Sequence, residues 1–276
     1  MVTEVDAAAA TGVTAAAAAL RKGIRLGTAI VPLGSRTSAA LAMEATTAAA
    51  LSGVEFLLGV GVSSPQIVSG WHASEHDATL ATTRQRLEEL RRLLDGERRG
   101  AFGIRDPAGS TVRLLLGTLG PRMRALAEEV ADGTIVNLTP AGALSAPPTG
   151  SRCLAMVWTL CSDAAEPSAR RELVSYALSR PYAAHLERLG YGAVVQEIEQ
   201  LRDAGRLKEA PGRLPDDLVG SLFTSLADLP ERIAAYRRAG AEPLLLPVPS
   251  PAGPTDDPAQ LTEEIHRVIG AGMSLR

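Results

Sequence analysis

The sequence has only two cysteines in 276 residues, Cys153 and Cys161. Eight positions apart in one expected strand, they suit neither a disulfide nor a metal site and are read as reduced thiols in or near the core. No charge of one sign dominates: 28 basic and 31 acidic side chains are interspersed and leave a net charge of −3. That balance offers no electrostatic footprint for nucleic acid. No run of about eighteen uninterrupted apolar residues occurs, so no membrane span is expected. The alanine-rich start follows Glu4 and Asp6 rather than a basic segment, so it does not read as a secretory leader, and a cytoplasmic location is expected. The four histidines, His72, His76, His185 and His266, are scattered. His72 and His76 stand at i, i+4 but lack the glutamate position of a zinc-protease helix and lie in an expected loop, so no metal is expected.

What is present is a 46% apolar composition, enough for one large α/β barrel or two smaller domains. A small molecule is the default ligand. Six apolar runs read as buried strands, at about 24–31, 55–61, 113–118, 133–138, 152–161 and 243–248. A helical segment follows each of them, and an alanine-rich helix over 7–22, interrupted at Thr11-Gly12, precedes the first. The helices after the first two strands are expected at 38–51, capped by Thr37 or Ser38, and at 80–94, with Leu87, Leu90 and Leu94 on one face. Residues 63–77 read as loop, 95–112 as a turn-rich excursion, 139–150 as a flexible connection, 167–240 as a broken helical stretch and 258–271 as a closing helix. Apolar strands alternating with amphipathic helices imply a parallel sheet with helices outside.

In such folds ligands collect at the C-terminal strand ends, where Gly27-Thr28, Gly59 to Ser64, Gly117 to Gly120 and Asn137 would lie. Glycines at the alternate positions 59 and 61 suggest that something approaches the backbone there. The turn LGTLGPR, residues 116–122, admits two readings. It is an ordinary strand-to-helix junction with proline at the first helical position, or an anion site built on exposed helix N–H groups. Arg122 and Arg124 oppose the helix dipole at that end, a local conflict that a bound anion would relieve. Trp71-His72 offers an aromatic face and an imidazole for proton transfer, or else a packed indole and a solvated loop histidine. Thr28 and Asn137 are candidates for bonding a ring edge, or for satisfying strand-end backbone. Arg36 is read as solvated and Glu44 as lying on a polar helix face.

Taken in order, IRLGTAIVP, ALAMEATTAAALSGVEFLLGVGVS, the Trp-His pair, TRQRLEELRRLLDGE, LGTLGPRMRALAEEVADGTIVN and YRRAGAEPLLLPV resemble the bacterial luciferase-like family, and most of all its actinobacterial deazaflavin-using branch. The resemblance implies one TIM-barrel-like (β/α)8-related domain over residues 1–276, with 167–240 as the family's helical excursion before the last strand. It implies coenzyme F420 or FMN at the C-terminal face and an oxidoreductase or monooxygenase acting on a small organic substrate in bacterial secondary metabolism. It places Gly27, Thr28 and Ala29 at an unusual backbone kink behind the cofactor ring, and Gly61, Val62, Ser63 and Ser64 along the cofactor. Gly117, Thr118, Leu119, Gly120 and Pro121 fall at the phosphate turn with Arg122 as counter-charge, and Asn137 at the pocket rim. His72 and Asn137 are the catalytic candidates.

The pattern also departs from the family. About fifty residues holding two strands are missing before IRLGT, so the barrel is expected to be incomplete, with three explanations: a late start, a plug formed by residues 1–22 with Val2 to Val5 as a short strand, or a homo- or heterodimer partner over the open edge. The family's Ser-Gly-Gly-Arg-Phe is replaced by Leu51-Ser52-Gly53-Val54-Glu55-Phe56, and Ser63-Ser64-Pro65 stands where a glutamate is common. These losses keep two alternatives beside the oxidoreductase: a cofactor-independent cyclase or isomerase, and a non-catalytic companion subunit.

Overall fold

A computed structural model describes residues 1, 9–20, 23–77, 79–105, 111–251 and 258–273. The chain divides into two compact units, Met1–Ile135 with Pro148–Cys153, and Val136–Pro147 with Leu154–Arg276.

In the first unit, α1 (Ala10–Leu20) is followed by β1 (Leu26–Pro32), α2 (Ser38–Ser52), β2 (Phe56–Gly61), α3 (Leu80–Leu94), β3 (Val112–Gly117), α4 (Pro121–Val130) and β4 (Gly133–Val136). The four strands run parallel in the order β1-β2-β3-β4. Every residue of β2 is buried, which is why the run reads as continuously apolar rather than alternating. Thr37 and Thr79 cap α2 and α3 by accepting the amides of Ala40 and Thr82 at 3.1 Å each. Leu87, Leu90 and Leu94 form the buried stripe of α3, as the spacing predicts.

The second unit carries β5 (Arg152–Leu160), α5 (Glu166–Ala177), α6 (Arg180–Arg188), α7 (Gly192–Asp203), α8 (Asp216–Leu222), β6 (Phe223–Thr224), α9 (Leu229–Arg238), β7 (Glu242–Val248) and α10 (Pro258–Met273). The strand β5 pairs in parallel with both β6 and β7. Its core gathers Leu173, Leu186, Ile198, Leu218 and Phe223 from four helices and β6.

Three expectations change. The described residues hold seven strands rather than six, because β6 is a two-residue strand inside the helical stretch and too short for periodicity to register. The segment read as loop over 63–77 contains a π-helical turn, Gln66–Trp71. Helix α1 runs through Thr11-Gly12 without a break. The strand expected at Val2 to Val5 lies outside the described residues. No helix among the described residues is long and apolar enough to cross a membrane. Cys153 and Cys161 are buried thiols, not joined in a disulfide.

Candidate active site

At the strand ends of the first unit, the polar side chains are largely committed to the chain itself. Thr28 is fully buried and its hydroxyl donates to the Gly59 carbonyl at 2.8 Å. A Cβ on Gly59 would lie 2.1 Å from the Thr28 carbonyl oxygen, and one on Gly27 would lie 2.3 Å from that of Leu57. The close approach signalled by these glycines is therefore that of the neighbouring strand. The peptide between Ala29 and Ile30 is cis and falls where the β1–β2 register shifts, between Thr28 and Val31. Beyond it, a Cβ on Gly61 would stand 3.1 Å from Ile30 Cδ1, and one on Gly117 would stand 3.3 Å from Ile30 Cγ2. Both glycines make room for one side chain, Ile30.

After β2, Val62 leads to Ser63, which is held at φ 58°, in the left-handed region. Ser64 starts the π-helical turn, with its hydroxyl and its carbonyl both accepting the Ile67 amide. The turn closes at Trp71, which is 64% exposed, and the amide of His72 donates to the Ile67 carbonyl at 3.0 Å. The indole is therefore not packed. The Nε2 atoms of His72 and His76 are shielded from solvent and neither has a hydrogen-bond partner among the described residues. A small cavity includes Leu33, Val62, Val68, His76 and Arg86 in its lining; His72 does not line it.

The LGTLGPR turn follows β3. The Thr118 amide donates to the Ile135 carbonyl at 2.9 Å, Pro121 takes the first helical position, and Gly120 caps α4 without a side-chain hydrogen bond. Unlike the first turns of α2 and α3, that of α4 has no hydroxyl on its N–H groups. Arg122 is exposed and has no ion pair among the described residues, whereas Arg124 pairs with Glu128 at 3.6 Å. Uncapped amides with a free guanidinium beside them are a donor set that fits a phosphate group. Arg36 is engaged with Glu44 at 3.3 Å.

In the second unit Asn137 proves to be the centre of a hydrogen-bonded aromatic cluster. Its Oδ1 accepts the Trp158 indole N–H at 2.7 Å and its Nδ2 donates to the Tyr182 hydroxyl oxygen at 3.0 Å. An indole N–H can only donate, so it fixes which way the amide is turned. Trp158 meets Tyr176 and Phe223 edge-on at centroid distances of 5.8 and 5.7 Å, and Tyr176 meets Tyr182 at 4.4 Å. Burial pushes the Tyr182 phenol above its usual range, against the Asn137 hydrogen bond. Burial, and then Tyr182 and Glu172, push the Tyr176 phenol up as well. Both therefore stay protonated across the ordinary pH range.

The residues beside Asn137 are braced as well. Leu138 sits at φ 47°, the His185 Nε2–H donates to its carbonyl at 2.9 Å, and the Tyr236 hydroxyl donates to the Thr139 carbonyl at 2.8 Å. Trp158, Tyr176, Tyr182 and Tyr236 were not singled out from the sequence, and His185 only as one scattered histidine. The available signal was compositional: all four tyrosines of the chain follow residue 175.

The architecture is that of known α/β, TIM-barrel-like enzymes. The coenzyme F420-dependent tetrahydromethanopterin reductase of Methanopyrus kandleri superposes with a TM-score of 0.70 at 19% identity, over 98% of this chain and 88% of that one. An FMN complex of the oxygenating constituent of 3,6-diketocamphane monooxygenase from Pseudomonas putida gives 0.54 at 18% identity, over 94% and 81%. The model of the luciferase-like monooxygenase family matches residues 1–147, and the chain belongs to that family. A Mycobacterium tuberculosis protein provisionally classed as a coenzyme F420-dependent oxidoreductase is 29% identical over 79% of this chain and 77% of its own length.

Proposed function

We infer that this chain is an oxidoreductase that binds coenzyme F420 or FMN and acts on a small organic substrate, in the manner of bacterial secondary metabolism. The observation that carries the reading is the first turn of α4, at the C-terminal end of β3 in a luciferase-like chain, with its N–H groups uncapped and Arg122 beside it. The backbone N–H groups of that turn and Arg122 bind the cofactor's phosphate. When bound, the deazaflavin or flavin ring supplies the two-electron chemistry, and the protein supplies position and exclusion of water. Thr28 does not contact the ring through its hydroxyl, since that group is spent on Gly59. His72, with a shielded Nε2 that no group among the described residues engages, is the residue of the first unit that holds or moves a proton.

Equilibrium titration of the full chain with coenzyme F420 and with FMN, followed by cofactor fluorescence, tests this. Saturable binding of one of them below the millimolar range, weakened by Arg122→Glu, supports the reading. Binding of neither overturns it.

A further inference from the structure

The four tyrosines of the second unit divide into two kinds. Tyr236 donates its hydroxyl hydrogen to the Thr139 carbonyl at 2.8 Å, and Tyr191 donates to the Asp217 carboxylate at 3.0 Å. Tyr182 is different. Because Trp158 can only donate, Asn137 must present Oδ1 to the indole and Nδ2 to the phenol, and a phenol oxygen that accepts from Nδ2 keeps its own hydrogen. No acceptor among the described residues takes that hydrogen. Tyr176, tilted at 58° against the Tyr182 ring at a centroid distance of 4.4 Å, likewise has no acceptor for its hydroxyl hydrogen among the described residues. Both tyrosines are partly accessible, while Trp158 and Phe223 behind them are buried.

We propose that the Tyr176 and Tyr182 hydroxyls are a paired donor site for the carbonyl oxygen of a small aromatic or unsaturated ketone, whose ring lies on the aromatic surface these side chains form with Trp158. Two phenolic donors converging on one oxygen polarise a carbonyl as an oxyanion hole does. Glu172 stands one helical turn before Tyr176 on α5, and a carboxylate there selects a neutral carbonyl over an anion. Asn137 is a positioning residue: it aims the Tyr182 phenol by occupying its oxygen, and the Tyr176 ring packs against that of Tyr182. The proposal deepens the oxidoreductase reading by naming a substrate class, and rests on it only for the word substrate, because the oxygen site is tested without cofactor.

The probe is 2-acetonaphthone, titrated into the full chain and followed by its infrared carbonyl stretch. In the wild type the stretch moves to lower frequency on binding. Tyr176→Phe and Tyr182→Phe each remove part of that shift and weaken binding roughly threefold to tenfold, while Tyr191→Phe changes neither. In tyrosine labelled at Cζ with carbon-13, the ketone moves the Tyr176 and Tyr182 resonances of the unmutated chain and leaves those of Tyr191 and Tyr236 in place, so a poorly folding variant does not decide the outcome. An unshifted stretch, equal affinity in the double Phe variant, or no binding overturns the proposal. Displacement of the ketone by FMN or coenzyme F420 assigns the donors to a cofactor carbonyl and overturns the substrate assignment. Failure of either cofactor to bind, with the ketone still held by the two tyrosines, removes the cofactor reading alone.

Discussion

Replacing Asn137 by alanine separates a structural from a catalytic role for this residue. The amide makes two hydrogen bonds, to Trp158 at 2.7 Å and to Tyr182 at 3.0 Å. Trp158 is 7% exposed, so its indole N–H is largely shielded from water once Oδ1 is gone. A buried donor left without a partner costs about 1–3 kcal/mol, and loss of the second bond adds about 0.5–1.5 kcal/mol. We therefore expect Asn137→Ala to destabilise the second unit by about 2–4 kcal/mol. The assay is urea unfolding followed by Trp158 emission in a Trp71→Phe background, where Trp158 is the sole indole. The midpoint should fall with little change in slope, and the near-ultraviolet dichroism of the tyrosines should change in the native state. A loss below about 0.5 kcal/mol with unaltered aromatic spectra refutes the argument and returns Asn137 to the set of free polar groups.

Glu55 gives a pH signature. Partial desolvation raises its pKa, but the guanidiniums of Arg113 at 2.9 Å and Arg152 at 2.8 Å outweigh that and hold it below the ordinary value. Its contribution to stability is thus present above the unfolded-state pKa and is lost as pH falls through the depressed folded one. Urea midpoints of the wild type and Glu55→Gln, taken from pH 7 down to pH 3, should converge on acidification; parallel curves contradict this. Gly59→Ala, whose Cβ would meet a backbone oxygen at 2.1 Å, should lose about 3 kcal/mol or fail to fold, while Gly70→Ala, with open space around it, should unfold within about 0.5 kcal/mol of the wild type. Cys153 and Cys161, at 2% and 0% exposure, should resist a thiol reagent in the native protein and react together in denaturant.

The parts legible in the sequence are those written in local pattern. The apolar runs, the Leu87-Leu90-Leu94 stripe and the Thr37 cap led to elements within one or two residues of those observed, because period and capping chemistry act over a turn or a strand. The strand β6 escaped because two residues carry no period, and the π-helical turn because its spacing matches neither template. Glycines 59 and 61 signal that something approaches the backbone but not what, and here a neighbouring strand and a bulky Ile30 require the absence of a Cβ. Asn137 shows the harder limit. Its partners lie 21 and 45 positions away, and the Tyr236 brace spans 97, so only the folded chain reveals that the amide is occupied. The pair Tyr176 and Tyr182 was invisible for the same reason, though the concentration of tyrosine after residue 175 pointed towards that half of the chain.

The central claim is that the first turn of α4 holds the phosphate of a flavin-type cofactor. It is tested most directly by comparing FMN with riboflavin, which share the ring and differ in the phosphate, in the wild type and in Arg122→Glu. The account predicts that the wild type binds FMN about tenfold or more tightly than riboflavin, and that Arg122→Glu removes most of the difference. Equal affinity for FMN and riboflavin in the wild type would contradict it.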